Sequence, residues 1–228
     1  MERPQAILFD VDGLLLTTGG AGTRSWRWAF DELYGIPADI GKFTEAGMTD
    51  PVVGRLTFTS VIGHEPSAEE LAKVISHYLM RLPEEVVASP GYEVLAGVDE
   101  LLPRLSKAGF LLGITTGAVE AAAHIKLARG NLNRFFSFGG YGSDSADRGE
   151  LTRKAIERAG EILGAALDPQ SVLVLGDTPN DIACARADGV RCLAVATGPF
   201  AAEDLRGADA VAADAGELRE LLDHALAT

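Results

Sequence analysis

Asp10-Val11-Asp12-Gly13 sets two carboxylates two residues apart, directly after the apolar run Ala6 to Phe9. Such a run marks a buried strand, and a polar residue at its carboxyl end is delivered to a rim where ligands gather. If the chain leaves the strand at the first Asp, both acids reach one ligand. One can attack as a nucleophile while the other handles a proton, provided a cation offsets their repulsion. Gly13 permits the sharp turn and close approach of that ligand. In isolation, the same four residues also fit solvated loop acids or helix caps.

A second acidic strand end changes that balance. Ser171 to Leu175 runs into Gly176-Asp177-Thr178-Pro179-Asn180-Asp181. The spacing puts Asp177 at a strand end and Asp181 in the first turn of the next helix, where a carboxylate also favours the helix dipole. Capping explains Asp181, but not Asp177, nor the matching position of Asp10 and Asp12 on another strand. A site built from Asp10, Asp12, Asp177 and Asp181 is oxygen-only and suits magnesium rather than zinc. His64, His77, His124 and His224 are scattered without ligand spacing and read as surface or packing residues.

The elements that must position these acids are legible as alternation. Phe110 to Thr115 runs into Thr116-Gly117, and Val190 to Ala196 into Thr197-Gly198. Between the apolar runs, Val98, Leu101, Leu102 and Leu105 lie at helical spacing before Gly109, and a further helix is expected from Leu151 to Leu163. Alternating strand and helix from about residue 97 onward implies an α/β fold with a mostly parallel sheet covered on both faces. Residues 17–92 break the alternation. Trp26, Ala29, Phe30 and Leu33 form one helical stripe, and Leu71, Val74, Ile75, Tyr78 and Leu79 another. This stretch reads as a helical insertion after the first strand, with Gly19-Gly20 and Pro90-Gly91 as hinges.

Taken together, the motifs resemble those of the haloacid dehalogenase superfamily over nearly the whole chain. Ile7 to Gly13 is similar to its first motif, Thr115-Thr116-Gly117 to its second, and Gly176 to Asp181 to its fourth. The resemblance implies a Rossmann-like core of residues 1–16 and 93–228 and a helical cap of 17–92, as in the phosphoglycolate phosphatase-like and phosphoglucomutase-like branch. It also implies a magnesium-dependent phosphatase acting on a small phosphorylated metabolite through an aspartyl-phosphate intermediate. Asp10 would be the nucleophile, Asp12 the general acid and base, and Thr116 with Gly117 the phosphoryl-binding turn; Asp177 would hold the metal, with Asp181 supporting it.

This sequence departs from the family pattern in its third motif. A Lys is usual there, whereas Asp144 to Leu151 offers Arg148, with Arg153 and Lys154 as alternatives. An Arg can bridge phosphate and carboxylate through its planar fork but does not replace an ammonium one for one. Leu14 stands where the first motif often has Thr, and Ala118 where the second often has Asn. Within the insertion, Arg24 and Arg27 are candidates for a second anionic group of the substrate, and Trp28 for the mouth of the site. Asp12 favours phosphate esters over halides, because an alkoxide leaving group needs a proton. A phosphomutase and a noncatalytic phosphometabolite sensor are the competing readings.

Composition bounds the rest. The 228 residues are 47% hydrophobic and 23% charged, ordinary for a folded protein, and the net charge of -13 with no Lys/Arg block argues against a nucleic-acid partner. No apolar run is long enough to span a bilayer, so no membrane partner is expected and the chain reads as cytoplasmic. Cys184 and Cys192 read as reduced, buried thiols. Nothing in the sequence sets the oligomeric state.

Overall fold

The computed structural model describes residues 3–226. Strand β1 (Ala6–Phe9) and β2 (Leu16–Thr18) precede helices α1 (Ala21–Tyr34), α2 (Asp50–Ile62) and α3 (Ala68–Ala88), after which β3 (Tyr92–Val94) begins the return. Strand and helix then alternate as α4 (Val98–Lys107), β4 (Leu111–Thr116), α5 (Glu120–Arg129), β5 (Phe138–Tyr141), α6 (Arg148–Leu163), β6 (Val172–Gly176), α7 (Pro179–Ala187), β7 (Arg191–Val195), β8 (Ala210–Ala212) and α8 (Ala215–Leu226).

Six strands form one sheet in the order β5-β4-β1-β6-β7-β8, each neighbouring pair parallel. The period of two in β1 divides the core. Ile7 and Phe9 join Leu101 and Leu105 of α4 and Leu222 of α8 on one face, while Ala6 and Leu8 join Ala155 of α6 and Ile182 of α7 on the other. Chain order reverses beside β1, with β4 on one side and β6 on the other. Open parallel sheets leave a ligand crevice at such a switch, outside the strand ends.

The stretch expected to be an insertion is helical. Trp26 of α1 stacks on Tyr78 of α3 with ring centroids 4.4 Å apart, and Phe30 and Phe58 are fully buried beside them. Strands β2 and β3 pair antiparallel, so both crossings between sheet and helices run through one two-stranded ribbon. The ribbon pairs Leu16 with Val94 and Thr18 with Tyr92, so it straddles the sequence boundaries of 17 and 92.

Three local features differ from the sequence reading. Helix α6 starts at Arg148, not Leu151, because the Asp147 carboxylate caps it by accepting from the Gly149 N–H at 2.8 Å. Strand β5, Phe138-Gly-Gly-Tyr141, carries no apolar run to announce it. Its glycines serve close packing, since a Cβ on Gly140 would lie 1.8 Å from the Leu151 carbonyl oxygen of α6. Strand β8 is only three residues long. Cys184 and Cys192 are both free; Cys192 is buried, whereas Cys184 is only half-buried, against the expectation that both would be buried. Among the described residues no helix is long and apolar enough to cross a membrane.

Candidate active site

Asp10 ends the central strand, and its backbone N–H still donates to Leu175 of β6 at 2.9 Å. The chain then turns sharply: Gly13, at φ 89°, donates to the Leu16 carbonyl at 2.9 Å. A Cβ on Gly13 would lie 2.2 Å from Oδ2 of Asp177, so only glycine lets this turn pack over the second acidic strand end. The loop after β7 presses on Asp177 from another side, where Thr197 donates to the Gly13 carbonyl at 2.7 Å.

The acidic tips of β1 and β6 meet. Ligand oxygens of Asp10, Asp177 and Asp181 all lie within 4.8 Å of one another, and all three residues are buried. Asp181 sits in the first turn of α7, where Oδ2 accepts from the Thr178 N–H and hydroxyl in a capping box. Its other oxygen, Oδ1, faces Arg148. The third-motif assignment therefore has a definite geometry: Nη2 of Arg148 donates to Oδ1 of Asp10 at 2.9 Å and also to Oδ1 of Asp181, while Nη1 donates to the Gly47 carbonyl at 3.0 Å. Arg153 and Lys154 lie elsewhere, paired with Glu150, Asp188 and Glu157. Thr116 ends β4 and is buried, with its hydroxyl accepting weakly from the Ala118 N–H at 3.4 Å.

The electrostatics of this cluster show a deficit of positive charge. Burial pushes the carboxyl of Asp10 up to about 7, with Arg148 pulling it down and Asp181 and Asp12 pushing it further up. Burial drives Asp177 to about 9, and repulsion from Asp10 and Asp181 adds to the rise. Oδ1 of Asp177 is also buried without a hydrogen-bond partner. An unpaired buried carboxylate oxygen beside two further carboxylates is the donor set of a hard divalent cation, and Mg2+ fits it.

Asp12 departs from the expected ligand set. Its carboxylate lies outside the acidic cluster, and Oδ2 instead accepts from Nζ of Lys126 on α5 at 2.5 Å. Its side chain is therefore not grouped with the metal candidates. Lys126 is buried; burial works against its charge, but Asp12, Tyr78 and Asp50 together outweigh it and raise its pKa.

Arg24 and Arg27 do not line the cleft. Arg24 donates to Glu85 at 2.7 Å and to the Gly19 carbonyl at 2.8 Å, tying α1 to α3 near the ribbon, and Arg27 is exposed. Trp28 packs along His77 with centroids 6.3 Å apart, away from the mouth. His64, His77 and His124 bond locally outside the cleft, and the His224 side chain falls outside the described residues.

What covers the cleft was not legible. Residues Ala46, Gly47 and Met48 line it, and Asp50 at the start of α2 anchors them. The Asp50 N–H donates to the Gly117 carbonyl at 2.8 Å, and Oδ2 accepts from the Val119 N–H at the start of α5 at 2.9 Å. A Thr-Asp-Pro sequence at a helix start reads as local capping, which concealed this contact. The cleft measures about 520 Å³ and contains Asp10, Asp12, Thr116, Gly117, Lys126 and Arg148 on its walls.

A parallel sheet with a carboxylate cluster at its switch point defines an α/β protein whose strand ends could hold a metal ion. Residues 4–189 match the family model described as haloacid dehalogenase-like hydrolase. The chain belongs to that family and is one of its phosphatases. It is 32% identical over 195 residues to the phosphoglycolate phosphatase of Agrobacterium fabrum, covering 84% of this chain and 80% of that one. It is 28% identical to the N-acetylmuramic acid 6-phosphate phosphatase of Pseudomonas putida, over 98% of each. The solved structure of CbbY from Rhodobacter sphaeroides in complex with phosphate shares the fold at a TM-score of 0.72 and 20% identity, covering 94% of this chain and 96% of that one.

Proposed function

We propose that the protein is a magnesium-dependent phosphatase that hydrolyses a small phosphorylated metabolite through a phosphoryl ester on Asp10. The observation that carries this reading is the meeting of Asp10 and Asp177, at neighbouring strand ends, with Asp181 of the first turn of α7, one buried oxygen of Asp177 being unpaired. Asp10, Asp177 and Asp181 would hold Mg2+, which when bound supplies positive charge to the phosphoryl oxygens.

An oxygen of Asp10 attacks phosphorus as the bond to the leaving oxygen breaks, and Asp12 gives that oxygen its proton. The carboxylate of Asp12 then takes a proton from water as water attacks phosphorus, which releases inorganic phosphate and restores Asp10. Arg148 spans the nucleophile and Asp181, so it orients the attacking oxygen and carries charge against the incoming phosphoryl group. Thr116 and the Gly117 turn offer donors to phosphoryl oxygens. Residues 46–50 act as the cap's contact with the core, and their seat on Gly117 and Val119 keeps bulk water from the ester.

The test is phosphate release from phenyl phosphate with Mg2+. Activity is expected to vanish in Asp10→Asn and on chelation. Substantial turnover by a folded Asp10→Asn variant rejects the nucleophile and with it the covalent route.

A further inference from the structure

We infer that Lys126 is a positioning residue for the reaction, holding Asp12 where its proton reaches the leaving oxygen. The inference deepens the proposed function and rests on the reading of Asp12 as acid and base.

Asp12 occupies a turn, and its side chain is 46% exposed, so the backbone alone leaves its carboxylate free to rotate. Among the described residues its one hydrogen bond from a side chain comes from Lys126, at 2.5 Å to Oδ2. Oδ1 is left to carry the proton. The lysine side chain is only 8% exposed, and it is held from several directions. Its own backbone carbonyl accepts from the Tyr92 hydroxyl at 2.9 Å, and Arg129, one turn on, donates to the Ser89 carbonyl at 2.8 Å. The start of α5 is fixed by Asp50. Helix α5 is thus tied to the ribbon and to the helical segment, and Lys126 transmits that fixed frame to a loosely held carboxylate.

A purely structural role would be better served by another residue. An apolar side chain fills a buried helix position without desolvating a charge, and a pair with one half-exposed partner adds little stability. Through both steps the ammonium keeps its protons. It orients Asp12 and favours the carboxylate left behind once the proton has passed to the departing oxygen.

The distinguishing readout is dependence on the leaving group. The constant kcat/KM covers steps through departure of the alcohol, so later hydrolysis of the Asp10 ester does not enter it. The leaving group of 4-nitrophenyl phosphate departs without a proton, whereas that of phenyl phosphate benefits from one. In Lys126→Met, kcat/KM for phenyl phosphate is expected to fall about 30-fold or more, and for 4-nitrophenyl phosphate less than about threefold, as general acid loss requires. Lys126→Arg, which keeps the charge, should recover part of the phenyl phosphate activity. Equal losses on both esters, or none, overturn the proposal.

If Lys126→Met does not fold, the same pair of measurements is made on Lys126→Met/Asp50→Asn, which also removes the buried acid near the lost ammonium. Failure of both to fold makes Lys126 a structural residue and overturns the proposal. Asp12→Asn is the reference and should show the same selective loss. A selective loss in Asp12→Asn with none in Lys126→Met rejects the role of Lys126 alone. Wild-type protein that hydrolyses neither ester rejects the proposed function, and this inference falls with it.

Discussion

Nη2 of Arg148 lies 2.9 Å from Oδ1 of Asp10, although the two residues are 138 positions apart, and the same nitrogen bonds Asp181. One guanidinium therefore sets the angle of the attacking carboxylate and neutralises part of the cluster behind it. A lysine ammonium could touch both carboxylates but not also hold the Gly47 carbonyl, which Nη1 reaches at 3.0 Å. Arg148→Ala is expected to lower kcat/KM on phenyl phosphate by about 100-fold or more, and Arg148→Lys by about tenfold. An Arg148→Ala enzyme within about threefold of wild type contradicts the bridging role.

Stability of the metal-free protein should depend on pH in a stated direction. Burial raises the folded-state pKa of Asp10 to about 7 and of Asp177 to about 9. In the unfolded chain both return to about 4, so the folded state retains protons that the unfolded state has released. Their contribution is complete below about pH 4 and is lost as pH rises through 7 toward 9. With chelator present, Tm is expected to fall across this window. Added Mg2+ should restore it, with the largest increment at the alkaline end, and Asp177→Asn should flatten both effects. A chelated wild-type protein whose Tm rises from pH 5 to pH 8 would contradict the assignment.

Asp50 fastens the covering segment to the core through Val119 and Gly117. Asp50→Ala leaves the buried Val119 N–H without its acceptor and should cost about 1–2 kcal/mol in urea unfolding. Asp50→Asn keeps an acceptor oxygen and sheds a buried charge whose pKa burial lifts to about 6, so its cost should be smaller. Both variants should raise KM, Ala more than Asn. An unchanged KM in Asp50→Ala dissociates residues 46–49 from substrate binding.

Charge in the cleft bears on the rest of the substrate. Among the described residues lining it, the cations are Arg148 and Lys126, and each is already paired with carboxylates. A second anionic group on the substrate would meet Asp12 and Asp50 with no cation left to offset it. Phosphate esters of neutral alcohols are expected to give kcat/KM at least about tenfold above a carboxylated ester of similar size such as 2-phosphoglycolate. A preference for the carboxylated ester, measured by phosphate release, reverses that expectation.

Short apolar runs ending in Asp10, Thr116 and Asp177 were enough to read parallel strands, their buried faces and the rim where acids converge, because strand burial and strand-end polarity are local properties of sequence. The helical stripes around Trp26 and Tyr78 were equally plain. Its position ahead of the helix singled out Arg148 over Arg153 and Lys154, and only the fold brings it into ion pairs with Asp10 and Asp181. Lys126 and Asp50 left no local mark: one is a lysine within a helix, the other an acid at a helix start, and both meet their partners only across the cleft. The same reason removed Arg24, whose spacing toward the site was plausible until Glu85 of α3 claimed its charge. Sequence determined the strands that deliver the acids and which acids those are, since these follow from residues within a few positions. The tertiary structure decided how those acids are paired, oriented and covered, since such contacts join elements tens of residues apart and their strength depends on the burial that packing creates.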